Sequence, residues 1–402
     1  MLNKNNEREL AYVVRINDIK PIQGSDNCEC AVVNGWNVMV RKNTLKPGDL
    51  AVYFEIDSKL DITKPEFAFL ISKKGHIKTQ KYTFGGKGSF LSQGLLMPFS
   101  DFGWEDGKYA EGDFLTKELG ITYYEPEDNA RKSNSGVDKY KKMAQRNGKL
   151  FSKQPFRWLM RREWGKKLLF VFFGKKRDKK TGWPVGRFPG VSKTDQERAE
   201  NMPWVLNDKT PFIVTQKCDG SSGTFILEKK LFGYEFYVCS RNIRMMKEDQ
   251  ECFYGNHNYY WEVAKKYDIE NKMKNWLKAN PKAKFVCWQG EVCAPAIQSN
   301  PQALTETHLY CFHWTDGLNG RRNIIDAAKD WKTMNMEVVP IVDTNYIMPD
   351  NFEDFKLSAD GMYDSSVCEG NNNCPREGFV YYKTTDPNFS FKNVSREYLL
   401  KH

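Results

Sequence analysis

A lysine followed by any residue, an aspartate and a glycine closes an apolar run: Pro211-Phe212-Ile213-Val214-Thr215-Gln216-Lys217-Cys218-Asp219-Gly220. In a strand that ends here, Lys217 and Asp219 project the same way, because side chains alternate with a period of two. A primary amine beside a carboxylate suits covalent catalysis once the amine gives up its proton. An ordinary lysine titrates near about 10.4, so it is almost wholly protonated at neutral pH. The pattern is short, and by itself it also fits an ordinary turn. It gains weight from the ordered motifs downstream in the chain. Cys239-Ser240-Arg241-Asn242 ends the next apolar run with an arginine. Trp288-Gln289-Gly290-Glu291 ends another with a carboxylate. Leu309–Trp314 is aromatic and includes Phe312. Arg376-Glu377-Gly378-Phe379-Val380 opens a run with a carboxylate, and Ser390-Phe391-Lys392-Asn393-Val394 carries a late lysine. Taken one at a time, the carboxylates read as surface groups, the arginines as ion-pair partners and Phe312 as core.

The elements that carry these residues alternate in type. From 186 to 402, strands are expected at Phe212–Val214, Gly223–Leu227, Gly233–Cys239, Phe285–Trp288, Leu309–Trp314 and Phe379–Tyr382. Helices are expected at Tyr259–Ala279 and Ile324–Asn335. That pattern is an α+β domain. Residues 1–120 are mostly β. Leu10–Ile19, Cys30–Val33, Trp36–Arg41, Leu50–Ile56 and Leu95–Met97 are strand candidates, and Asn34-Gly35 marks a hairpin. A small barrel or sandwich fits, an OB-like barrel among the options. Residues 121–185 differ. Between Arg131 and Lys180 stand 18 Lys or Arg against 3 Asp or Glu. Within them Phe156–Phe173 interleaves Trp158, Arg161, Arg162, Trp164, Lys166 and Lys167. Charge mixed with aromatic rings suits nucleic acid through phosphate contact and stacking, and a basic linker has the same composition.

The whole chain of 402 residues has a net charge of +10, so the charge is concentrated in this segment. A hydrophobic content of 40% supports more than one packed core. The longest central apolar run, Leu168–Phe173, is too short for a membrane helix. The polar start, MLNKNNEREL, has no apolar signal core, which points to the cytoplasm or nucleus. Ten scattered cysteines show no pair of Cys-x-x-Cys motifs, so reduced thiols are expected rather than a structural zinc site.

The ordered motifs resemble those of the covalent nucleotidyltransferases: DNA ligases, RNA ligases and mRNA capping enzymes. Phe188-Pro189-Gly190 and Lys193-Thr194-Asp195-Gln196-Glu197-Arg198-Ala199-Glu200-Asn201, with Leu91-Ser92-Gln93-Gly94-Leu95 further upstream, resemble the Naegleria-type, or fifth, family of RNA ligases. The resemblance covers residues 186–395 and extends to the N-terminal β region. It implies an N-terminal OB-like barrel (1–120), a basic linker or helical segment (121–185) and a nucleotidyltransferase domain (186–402). It implies an ATP-dependent RNA ligase, acting as a monomer, that seals 3′-hydroxyl and 5′-phosphate RNA ends. Lys217 would carry AMP. Asp219, Glu291 and Glu377 would hold a hydrated Mg²⁺ or Mn²⁺. Arg198, Arg241 and Lys392 would contact ribose or phosphate, Phe312 would stack on adenine and Gln216 would read its edge.

One position departs from the family pattern. Relatives carry Lys-x-Lys in the last motif, and here Ser390 takes the place of the first lysine; Lys383 is a candidate substitute. A capping guanylyltransferase or a DNA ligase would use the same lysine chemistry, but both place the β domain after the catalytic one. A catalytically inactive nucleic-acid binder is the alternative of another class, and the full set of charged motif residues argues against it.

Overall fold

Short β-branched and aromatic runs separated by turn residues build the N-terminal region, as the sequence leads one to expect. The computed structural model describes residues 1, 8–84, 88–105, 107–124, 159, 162, 187–246, 248, 257–370 and 374–401. The basic stretch 131–180 therefore lies outside the described residues, apart from Leu159 and Arg162. Residues Met1–Tyr124 and Trp183–His402 form one compact unit, and Glu125–Gly182 a second.

The N-terminal strands are β1 (Ala11–Arg15), β2 (Asp18–Pro21), β3 (Cys28–Val33), β4 (Trp36–Arg41), β5 (Leu50–Phe54), β6 (Ser58–Lys59), β7 (Gln80–Thr83), β8 (Ser89–Ser92), β9 (Leu95–Pro98) and β10 (Thr122–Tyr123), with helix α1 (Thr116–Leu119). They pair as β1-β5-β9, β2-β3-β4, β7-β8 and β10-β6. The Asn34-Gly35 hairpin forms between β3 and β4, with φ of 46° and 80°. The run Leu10–Ile19 is two strands rather than one. The backbone leaves the first ladder at Ile16, whose N–H donates to Asp49 O at 2.9 Å, and then joins a second sheet. Strands β1 and β5 bury both faces. Val13, Val52 and Phe54 face one cluster, and Tyr12, Val14, Tyr53 and Trp36 the other. The region is OB-like, but its sheets do not close into the expected barrel among the described residues: β2-β3-β4 forms its own ladder apart from β1-β5-β9.

Two larger sheets make the second region. Its strands are β11 (Glu197–Arg198), β12 (Phe212–Gln216), β13 (Ser221–Lys229), β14 (Tyr234–Cys239), β15 (Arg244–Met245), β16 (Phe285–Cys293), β17 (His308–Asp316), β18 (Gly320–Arg321), β19 (Ile341–Tyr346), β20 (Gly378–Lys383) and β21 (Asp386–Val394). One sheet has the order β11-β21-β20-β12-β19, the other β15-β14-β13-β16-β17-β18. Helices α2 (Tyr259–Lys266), α3 (Ile269–Ala279) and α4 (Ile324–Thr333) join a core with Trp288, Trp314 and Trp331. The helix expected over Tyr259–Ala279 breaks at Asp268, whose φ of 48° no α-helix accommodates. Phe212, Val214, Tyr381 and Phe391 pack with Phe355 of α5 (Phe352–Leu357). A last helix, α6 (Arg396–Lys401), follows β21. Among the described residues, no helix is long and apolar enough to cross a membrane.

Candidate active site

Lys217 follows β12 and Glu377 precedes β20. These strands pair antiparallel, with Gln216 opposite Phe379, so the two motif ends lie side by side. The Lys217 backbone N–H donates to Gly378 O at 2.9 Å, and its Nζ donates to Glu377 Oε2 at 2.7 Å. The second sheet supplies Glu291, opposite Ser222 across the β13–β16 ladder, with its side chain packed against Gly220. The motif glycines follow from this crowding. A Cβ on Gly220 would stand 2.4 Å from Val292 O, and one on Gly378 2.1 Å from Asn393 O, at a φ of 140°. Neither approach leaves room for a side chain.

Three carboxylates surround one ammonium, and the titration behaviour shows the imbalance. Burial pushes Glu291 up to about 8; Lys217 works against this, while Glu377 and Asp219 add to it. Burial raises Glu377 as well, against the pull of Lys217. For Lys217, burial favours the neutral amine, but Glu377, Glu291 and Asp219 outweigh it and hold the proton more tightly than usual. Among the protein's own groups, Lys217 is therefore an ion-paired ammonium. Lys392 moves the other way, down to about 8, through burial and the charges of Lys217 and Arg198.

Strand β21 sets Lys392 opposite Val380, and β11 adds alongside so that Arg198 is opposite Lys392. The Arg198 guanidinium lies 5.7 Å from the ring centre of Trp36 in the N-terminal region, and its Nη1 is buried with no hydrogen-bond partner among the described residues. Arg241 stands exposed on the rim, ion-paired with Asp195 at 2.6 Å. Phe312 sits at the irregularity in the β16–β17 pairing, in an apolar cluster with Cys218, Cys293, Tyr310 and Tyr363. Gln216 is buried and turned to the loop: its Oε1 accepts the Asp364 N–H at 3.0 Å. Lys383 pairs with Asp208 at 2.6 Å, so its ammonium is already engaged away from Lys217. Ser390 lies opposite Tyr382.

Two neighbours carry no local motif. Tyr398, on α6, donates its hydroxyl to Asp219 Oδ2. His313 is buried opposite Gln289, and neither ring nitrogen has a hydrogen-bond partner among the described residues. Burial and the charge of Arg321 hold its proton affinity well below that of an ordinary histidine. Gln289 donates to Ser192 O at 2.9 Å and leaves its own Oε1 without a partner there. Both lie within runs the sequence marks, Leu309–Trp314 and Trp288-Gln289-Gly290-Glu291, but nothing in those runs singles out either side chain.

An OB-fold domain model matches residues 10–99, and an RNA ligase model matches residues 210–395. No curated protein matches the chain. Among solved structures, the chain is similar to Naegleria gruberi RNA ligase. A mutant of that enzyme with ATP and Mn is 26% identical, with a TM-score of 0.62, covering 98% of this chain and 99% of that one. A mutant with AMP and Mn is 27% identical over the same shares, with a TM-score of 0.63. The enzyme with pyrophosphate matches at 27% identity and a TM-score of 0.62, again over 98% and 99%. With an OB-fold domain model ahead of an RNA ligase model and this likeness along almost its whole length, the chain is similar to RNA ligases, enzymes that join RNA ends.

Proposed function

We propose that this chain is an ATP-dependent RNA ligase and works through AMP carried on Lys217. The observation that carries the reading is the junction of the two sheets, where Lys217, Glu377, Glu291 and Asp219 form one electrostatically coupled group. The Lys217 nitrogen attacks the α-phosphate of ATP, the bond to pyrophosphate breaks, and the amine proton leaves. The AMP then passes to a 5′-phosphate end, which restores Lys217. A 3′-hydroxyl attacks that end, a phosphodiester forms, and AMP departs. Lys392 and Arg198, opposite each other on β21 and β11, are suited to phosphate oxygens. The buried orphan groups of His313 and Gln289 are placed to meet a polar ligand between the sheets, and Phe312 offers it a ring.

The carboxylates fit a divalent cation, Mg²⁺ or Mn²⁺. Asp219, Glu291 and Glu377 share one lysine, and both glutamates bind protons more tightly than usual. Among the described residues, no three metal-binding side chains stand close enough to ligate one ion. That favours an ion held through its own waters, as Mg²⁺ commonly is. When bound, it supplies positive charge that offsets the carboxylates and the phosphate and so eases deprotonation of Lys217.

The substrate reading is RNA with 3′-hydroxyl and 5′-phosphate ends, including nicks in duplexes. The basic stretch 131–180 and the OB-fold domain would hold the strand. Incubation with α-labelled ATP should transfer label to the protein in a denaturing gel, and α-labelled GTP should not. Label from GTP alone would overturn the ligase chemistry in favour of capping. For the strand, a nick ending in one ribonucleotide should seal faster than one ending in a deoxyribonucleotide, since a 2′-hydroxyl distinguishes the two. Equal rates would refute the RNA preference.

A further inference from the structure

The C-terminal helix touches both domains of the compact unit. At its start, Ser395 N–H donates to the Glu377 backbone carbonyl at 2.9 Å, which ties the helix to a motif residue. Ser395 Oγ and Arg396 N–H both donate to Asp360 Oδ1, at 2.7 and 3.0 Å. Further contacts reach the OB-fold domain. Arg396 clamps Glu353 with two bonds of 2.7 and 3.0 Å and donates to Gly35 O at 3.1 Å. Gly35 belongs to the Asn34-Gly35 hairpin, and it sits so close to Phe352 that a Cβ there would be 2.1 Å from the ring. Lys20 reaches the same Glu353 at 3.6 Å, and Lys81 donates to Leu400 O. Helix α6, held at these points, presents Tyr398. That side chain is buried, and its hydroxyl ends on Asp219 Oδ2.

We infer that Tyr398 is a positioning residue for Asp219, and that the OB-fold domain sets Tyr398 through helix α6. A carboxylate next to a strand end has several rotamers available, and a phenol donor selects one of them. Asp219 therefore reaches its place by two routes: the Lys217-Cys218-Asp219-Gly220 backbone, and a helix whose own position depends on the other domain. The inference rests on the reading of Asp219 as a carboxylate that faces a hydrated divalent cation. It makes domain docking a condition for a well-placed metal site.

Tyr398→Phe removes the hydroxyl and keeps the ring. Mn²⁺ binding to the full-length protein should be followed by the electron-spin resonance of free Mn²⁺, with a non-hydrolysable α,β-methylene ATP analogue present. Lysine labelling is measured in parallel against Mn²⁺ concentration. The half-saturating Mn²⁺ concentration should rise about tenfold, the order expected for one hydrogen bond to a charged group. The KM for ATP at saturating Mn²⁺ should stay within about twofold, a split that a general loss of structure would not produce. Arg396→Ala leaves the phenol intact and cuts the link to Gly35, and it should reproduce part of the Mn²⁺ shift. Wild-type Mn²⁺ saturation in Tyr398→Phe overturns the positioning role; wild-type saturation in Arg396→Ala overturns the link to the OB-fold domain. If the unmodified protein neither binds Mn²⁺ nor takes label, the lysyl-AMP chemistry itself fails and this inference fails with it.

Discussion

Lys217→Ala should lose transfer of label from α-labelled ATP by at least about 10⁴-fold, because the amine forms the bond that holds AMP and no other group replaces it. Sealing of an RNA end that already carries AMP should survive in the same variant to within about 100-fold, since that step needs no nucleophilic lysine. Lys217→Arg should be no better than alanine for labelling: a guanidinium stays protonated at any working pH and is no nucleophile. The structure makes the contrast sharp. Nζ is 2.7 Å from Glu377 Oε2, so the amine begins as an ammonium locked to a carboxylate. The loss in labelling therefore reports the bond-forming atom, and the remaining activity on activated ends reports the rest of the site. Retained labelling in Lys217→Ala would place the nucleotide on another residue. Equal loss of both activities would mean that the lysine acts through structure alone.

The site was legible where it is made of strand ends. Lys217, Glu291 and Glu377 each lie at or beside a strand the sequence marks as an apolar run, whereas Lys392 lies on β21, which the expected strands did not include; the pairing of β12 with β20 and of β20 with β21 brings Lys217, Glu377 and Lys392 together. Local pattern could not show what crosses the fold. Tyr398 meets Asp219 from 179 residues away, and nothing in the run Arg396–Lys401 points to a phenol aimed at a carboxylate. Gln216 accepts the Asp364 N–H through its Oε1, while its buried Nε2 has no hydrogen-bond partner among the described residues, a detail no local pattern shows. The charge state of Lys217 also depends on distance. Burial was foreseeable, yet the sign of the shift is decided by how many carboxylates the two sheets bring within reach. In the N-terminal region, alternation gave the strands and Asn34-Gly35 the hairpin. Which strands share a ladder depends on contacts made elsewhere, so the break at Ile16 was invisible.

Beneath this site lies an ion pair with almost no access to water, and breaking it should cost the fold dearly. Glu200 and Lys356 are buried, at 0% and 1% exposure, and their charged atoms meet at 2.7 Å. Lys356 Nζ also donates to Val394 O at 3.0 Å, at the end of the strand that carries Lys392. Burial alone would raise the Glu200 carboxyl, but Lys356 and Arg198 hold it below the usual carboxylate range. Burial also lowers Lys356, with Glu200 opposing. Removing one partner leaves the other as an unpaired buried charge, a loss of about 3–5 kcal/mol. Glu200→Ala should accordingly melt about 6–20 °C below the unmodified protein, taking roughly 2–4 °C per kcal/mol for a domain of this size. Replacing both, Glu200→Leu with Lys356→Met, should recover most of that loss, because apolar groups of similar volume need no compensation. The double variant should still label on Lys217 if the pair serves only the fold. If it is stable but labels about tenfold more weakly, the pair also places Arg198, whose charge bears on both Glu200 and Lys392. A Glu200→Ala protein that melts within a degree of the original would show that water or local rearrangement relieves the buried lysine, and the ion pair would then add little to stability.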